Sequence, residues 1–200
     1  METSSDYTTI LSLFPLQTVL FPGNKLPLRI FEPRYVDLIG RCMREQQGFG
    51  IIGISSGQEA GPTPEIFSVG VEVRIIDFDQ GSDGFLNIVV QGQDRFRVES
   101  TRVREDNLLT AIVSPLPVVE TTTAAINYPN LSRAFRQLGE HPELKDRVCD
   151  SSDPLTMAYE LIPWLPLANA FKVDLLAEDE GEAVVDKLEQ YLLNMSRQTN

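Results

Sequence analysis

The sequence predicts an α+β protein: a small closed or half-closed β-barrel with one inserted helix, followed by a C-terminal helical bundle. Three observations predict it. Short β-type apolar runs separated by turn residues fill the first half of the chain. One early stretch, Tyr35 to Met43, switches to helical spacing. From Leu131 onward the apolar period is helical, with start and stop signals in place. Several short strands at close spacing with a single early helix argue a barrel. The expected division is residues 1–118 for the barrel and 119–200 for the helices, with Pro115 to Thr123 as the hinge.

Ile10 to Phe14 and Leu26 to Ile30 read as strands punctuated by prolines, which suits edge or bulged positions. Glu32 followed by Pro33 opens a helix. Tyr35, Leu38, Ile39, Cys42 and Met43 form its apolar stripe, and it ends before Gly48. Phe49 to Ile54 is a continuous apolar strand, and Ser55 to Pro64 is a loop. Val69, Val71, Val73 and Ile75 alternate with Gly70, Glu72, Arg74 and Ile76. Ser82-Asp83-Gly84 supplies a turn and Phe85 to Val90 the return. Gly92 is expected to interrupt the next connection, before Phe96 and Val98 form a bulged partner. Asp106-Asn107 turns the chain into Leu109 to Val113.

In the second half, Leu131, Ala134, Phe135 and Leu138 mark a helix with Gly139 as its left-handed stop. Asp153-Pro154 is a cap and first-position pair for a helix carrying Leu155, Ala158, Tyr159 and Ile162, ended by Pro163-Trp164-Leu165-Pro166. Leu167 to Leu176 is the next helix, with Phe171 and Leu175 inward. Asp179 and Glu182 suggest a capping box before the stripe Val184, Val185, Leu188, Tyr191, Leu192, Met195.

Composition excludes several classes. Two hundred residues at 42% apolar content can bury one ordinary core, or one and a smaller satellite. No window approaches the roughly 18 apolar residues that cross a bilayer, and Met1 to Thr9 is polar and acidic, so the chain reads as cytoplasmic with no membrane partner. Cys42 and Cys149 are isolated, which argues free thiols and against a disulfide framework or a zinc set. The net charge is -12; residues before Val118 hold 15 acids and 10 bases, and the rest 14 acids and 7 bases. Neither half is basic, so nucleic acid is not an expected partner.

One stretch is more specific than any of this. Phe14-Pro15-Leu16, Leu20-Phe21-Pro22-Gly23 and Leu26-Pro27-Leu28-Arg29-Ile30-Phe31-Glu32-Pro33-Arg34-Tyr35 resemble the opening of the Lon protease N-terminal, substrate-binding domain. Further stretches are similar to the same family: Phe49-Gly50-Ile51-Ile52, Val69-Gly70-Val71-Glu72-Val73, Leu86 to Gly92 with Arg95-Phe96-Arg97-Val98, and Asp153-Pro154-Leu155 through Leu165-Pro166-Leu167, Lys172 and Leu175-Leu176. The resemblance runs from about Leu11 to Leu193. It implies a PUA-like barrel followed by a helical bundle, and a module that binds unfolded or partly folded polypeptides. Such a module would be an adaptor or a sensor in proteolysis or quality control, beside a separate protease or chaperone. Full-length members of that family continue into an ATPase module and a Ser-Lys protease domain. Here none of Lys25, Lys145, Lys172 and Lys187 follows a glycine, so no phosphate-cradling Gly-Lys-Ser/Thr is present and no ATP site or other cofactor is expected. The chain reads as non-enzymatic. A PUA-like RNA-binding protein and an enzyme with an unrecognised small-molecule pocket are the alternatives.

The candidate peptide-binding residues are Phe21, Leu26, Phe31 and Tyr35, rimmed by Arg29 and Arg34, with Trp164 as a second anchor. The same residues also have structural readings. Phe31 and Tyr35 would plug the barrel mouth against the helix, Arg34 would pair with Glu32 or hold a carbonyl, and Trp164 would fill the core. His141, the only histidine, lies in a connection with no nucleophile elbow and is expected to be solvated. Asp77/Asp79 and Glu178 to Glu182 are acid pairs open to acid/base or metal roles, read here as strand-end and helix-cap charges. Gly81 to Gly84 leads into a strand and is a hairpin turn, not a phosphate loop. Arg95, Arg97, Arg102 and Arg104 form a small basic strip open to an acidic partner, read here instead as pairing with local acids such as Glu99 and Glu105.

Overall fold

The structure is a computed structural model that describes residues 8–59, 61–81, 84–122, 124–141 and 152–198. The chain divides into two compact units, Met1–Pro117 and Val118–Asn200. Ser82, Asp83, Lys145 and Cys149 lie outside the described residues.

The first unit holds strands β1 (Thr9–Leu16), β2 (Lys25–Ile30), β3 (Phe49–Ser56), β4 (Glu65–Gln80), β5 (Leu86–Val103) and β6 (Leu109–Pro115), with helix α1 (Pro33–Glu45) between β2 and β3. They form one mixed sheet in the order β2, β5, β4, β3, β1, β6, and β6 pairs again with the far part of β5. That second pairing, Phe96 with Pro115 through Val103 with Leu109, turns the sheet into a barrel-like ring. The ring is not evenly closed: the pairings of β3 with β4, β4 with β5 and β5 with β6 all carry register shifts, and β2 hangs outside it on β5.

Where a strand has neighbours explains where the prolines sit. β2 pairs with β5 alone, and Pro27 lies in it, as expected for an edge. β1 corrects the expectation of an edge strand, because it runs antiparallel to β6 over Thr9 to Leu13 and parallel to β3 over Leu13 to Leu16. Pro15 falls in the second half, beyond the last residue paired with β6, so its missing N–H removes no bond on that side.

β5 is a second correction. Gly92 does not end a strand; β5 runs unbroken through it for 18 residues. Between Val73 and Val71 of β4, β5 advances from Gly92 to Arg95, one residue more than its partner, and so bulges there. Here the backbone of Phe21 comes so close that a Cβ on Gly92 would stand 2.5 Å from the Phe21 carbonyl oxygen. Only glycine permits that approach.

α1 lays Tyr35, Leu38, Ile39 and Cys42 on Phe14, Phe49, Ile51, Val73, Ile88, Val90 and Leu108. Burying side chains of this size contributes about 1.5–3 kcal/mol each before chain entropy is counted. Gln46, with φ 54°, ends the helix and returns its N–H to the Cys42 carbonyl. A second apolar cluster, Leu11, Leu13, Ile52, Phe96, Leu109, Ala111 and Val113, occupies the part of the ring between β1, β3, β5 and β6.

The second unit contains α2 (Pro129–Glu140), α3 (Pro154–Leu161), α4 (Asn169–Leu176) and α5 (Gly181–Gln198). Its interior includes Leu131, Ala158, Ile162, Leu175, Val184, Val185 and Leu188, all fully buried. Asp153 caps α3 as its sequence predicts, accepting from the Thr156 amide at 2.7 Å and hydroxyl at 2.6 Å. Gly139 is not a stop: α2 continues through it, and His141 is the C-cap, donating its N–H to the Leu138 carbonyl. The start of α2 is capped from afar, the Glu189 carboxylate of α5 accepting the amides of Asn130 and Leu131 at 3.0 and 2.7 Å. Glu182 turns to Thr122, accepting its amide and hydroxyl at 2.8 and 3.0 Å. No described helix is long and apolar enough to cross a membrane.

Candidate functional site

The residues singled out in the sequence separate into two groups. Phe21 and Tyr35 are core residues. Tyr35 stacks on Phe14 with ring centroids 3.9 Å apart, and burial raises its hydroxyl pKa. Arg34 is held in place. It pairs with Glu32 at 2.7 Å, donates to the Asn107 carbonyl at 2.9 Å, and lies 4.8 Å over the Tyr35 ring. Phe21 and Tyr35 belong to the core, and Arg34 ties the start of α1 to the turn before β6. Leu26 is half-buried on the inner face of β2. Arg29 faces outward, with its guanidinium 4.5 Å over the Phe85 ring.

Phe31 is different. It is 60% exposed and does not plug the barrel mouth. Phe31, Val36 and Met43 line a concavity of about 580 Å³ together with Ile30, Phe78, Asp79, Phe85 and Leu86. A second hollow of about 310 Å³ adjoins it across Phe78 and Asp79, and reaches Pro27, Arg29, Asp77 and Val89.

The register of β4 and β5 shows why the aromatic side chains collect there. Ile75 pairs with Val90, but Asp77 pairs with Val89, so Ile76 is an extra residue in β4. The bulge reverses the alternation. Phe78, at an even position, comes opposite the buried Ile88 and joins the inner face with Val71, Val73 and Ile75. α1 covers the neighbouring part of that face, but Phe78 stands beyond the helix flank that carries Val36 and Met43 and is 59% exposed. The same bulge turns Asp77 and Asp79 to the outer face, opposite Val89 and Asn87. The Asp77 carboxylate accepts the amide of Phe78 at 2.9 Å.

Phe78, Phe85 and Val36 were missed in the sequence. Phe78 breaks the odd-numbered alternation of its strand, and only a bulge restores it to the core side. The signal that existed was an aromatic at the tip of a long hairpin, beside two acids.

Trp164 corrects the core-filling expectation. It is 49% exposed at the end of a 3-10 turn, Ile162–Trp164, in the second unit. Behind it the buried Lys172 ammonium donates to the Pro163 carbonyl at 3.4 Å, and burial lowers its pKa. In the arginine strip, pairing with a local acid is seen at Arg104, and Arg95 is held by a backbone carbonyl. Arg95 is buried and donates to the Pro117 carbonyl at 2.7 Å, while Arg104 pairs with Asp106 at 3.4 Å. Glu178 pairs with Lys187, whose hydrogen bond holds its carboxyl below the usual range. His141 is exposed. Among the described residues no cluster of His, Cys, Asp and Glu could hold a metal ion.

Comparison with known proteins gives this geometry a context. The family model for the ATP-dependent protease La (LON) substrate-binding domain matches residues 10–194. Lon protease 2 of Myxococcus xanthus is 28% identical over 96% of the chain, and Lon protease of Anaeromyxobacter dehalogenans 28% identical over 76%. The chain spans 24% and 18% of the lengths of these curated relatives. The crystal structure of a Lon N-terminal domain protein from Xanthomonas campestris superposes with a TM-score of 0.71 at 33% identity, covering 90% of this chain and 96% of that one.

Proposed function

Because the chain belongs to the LON substrate-binding domain family, we propose that it is a non-catalytic module that binds exposed apolar segments of other polypeptides, as a cytoplasmic adaptor or sensor of unfolded protein. The ring of the first unit is read as a PUA-like barrel whose uncovered end serves as the binding face, and the second unit as a helical bundle. One observation carries the reading: Phe31, Phe78 and Phe85 line a single concavity, and Phe31 and Phe78 expose more than half of their surface. Apolar rings left in water forgo their burial free energy, so a contiguous patch of them marks an interaction surface. Trp164 is a second anchor of the same kind.

Binding of a fluorescently labelled, permanently unfolded protein, followed by anisotropy, tests this. Phe31→Ala and Phe78→Ala should each weaken binding about tenfold or more. Unchanged affinity in a Phe31→Ala/Phe78→Ala double variant that melts like the parent would refute this surface as the site.

A further inference from the structure

Resting on the polypeptide-binding reading, we propose that the segment this surface takes is an aromatic or aliphatic stretch with lysine or arginine directly beside it. The concavity alone would accept any apolar residue. Its rim is what discriminates.

Asp77 and Asp79 leave β4 on either side of Phe78, and both border the hollow that Phe78 shares with Pro27, Leu28 and Arg29. Both are exposed, and no described ion pair engages either of them. The nearby cation, Arg29, is already drawn over the Phe85 ring at 4.5 Å. That contact shows the aromatic wall can hold a guanidinium on its face, as ring quadrupoles do. A segment seated on the aromatic faces of Phe31, Phe78 and Phe85 therefore meets Asp79 where the two hollows adjoin, and on running over Phe78 into the second hollow it also meets Asp77, both carboxylates without a described ion pair. Both favour a cation there, and both disfavour an acid. The whole chain, at -12, repels acidic partners in the same sense over a longer range.

The test uses three labelled peptides with one shared apolar core, flanked by Lys, by Gln or by Glu, titrated with the full chain in anisotropy measurements. The expected order is Lys tighter than Gln tighter than Glu, with about a fivefold step from Gln to Lys at low salt, as exposed charge pairs allow. That step should shrink below about twofold in Asp77→Asn/Asp79→Asn and at about 0.5 M salt. It should persist in Asp174→Asn/Asp186→Asn, which removes the same net charge from exposed positions in the second unit. If both double variants lose it equally, the preference comes from the overall field, and the assignment to this rim is overturned. If the three peptides bind alike and Phe78→Ala weakens them all, the charge inference fails while the polypeptide-binding reading stands. If none of the three binds, both fail.

Discussion

Tyr35 and Phe31 stand four residues apart and meet opposite fates. Tyr35, in the first turn of α1, is stacked on Phe14 and almost fully buried, while Phe31, in the link before the helix, is 60% exposed. The same contrast runs across the sheet. Ile88 is buried under α1, and its cross-strand partner Phe78 is 59% exposed. In both pairs the chemistry is alike and the cover differs. The inner face of the β2, β5 and β4 strands continues beyond the flank of α1 that carries Val36 and Met43, and what lies beyond has the composition of a core without its lid. That is how a binding surface is made from a pattern that otherwise only folds a protein.

Substitutions on the two sides should therefore separate stability from binding. The largest expected effect is on the covered side: Phe49→Ala, at a fully buried position, should lower unfolding free energy by about 3–5 kcal/mol in a urea titration. Gly92→Ala should follow at about 1–3 kcal/mol, because the new methyl group meets the Phe21 carbonyl oxygen at 2.5 Å. Asp153→Ala, which strips the cap of α3, should cost about 1 kcal/mol. Smallest of all, Phe78→Ala should stay within about 0.5 kcal/mol of the parent while weakening peptide binding. A large loss of stability in that last variant would mean the exposed end is packed, and the contrast would collapse.

Asp153 adds a pH signature to the second unit. Burial pushes its pKa up, but hydrogen bonds from the Thr156 hydroxyl and amide and the Thr121 hydroxyl outweigh burial and leave it lowered. A carboxyl depressed in the fold contributes stability that is complete above its unfolded pKa, about 3.9, and is lost as pH falls through the folded value. Denaturation midpoints at neutral and strongly acid pH should thus converge between the parent and Asp153→Asn as the pH drops. A gap that stays constant across that range would refute the assignment.

Much of the fold was legible in the residues because local chemistry dictates it. Pro33 at a helix start with a Tyr35, Leu38, Ile39, Cys42 stripe gave α1, Asp153-Pro154 gave α3 with its cap, and Asp106-Asn107 gave a turn in which Asn107 has φ 61°. Errors arose wherever a partner far along the chain decides. Gly92 looks like a break until the Phe21 backbone is seen against it. Gly139 is a different case: among the described residues nothing within 4 Å of it decides the matter, and α2 runs one residue past it to Glu140.

The candidate site divides on the same line. The proline and aromatic run up to Tyr35 pointed to the family, and turn residues and apolar period along the rest of the chain placed most of the strands and helices, because both act over a few residues. Which of its aromatics face water was settled only in three dimensions. One extra residue in β4, Ile76, inverts the alternation and puts Phe78 on the core side, and the reach of α1 leaves that side bare. Exposure depends on what packs above a residue, and that neighbour can be any distance away in the chain.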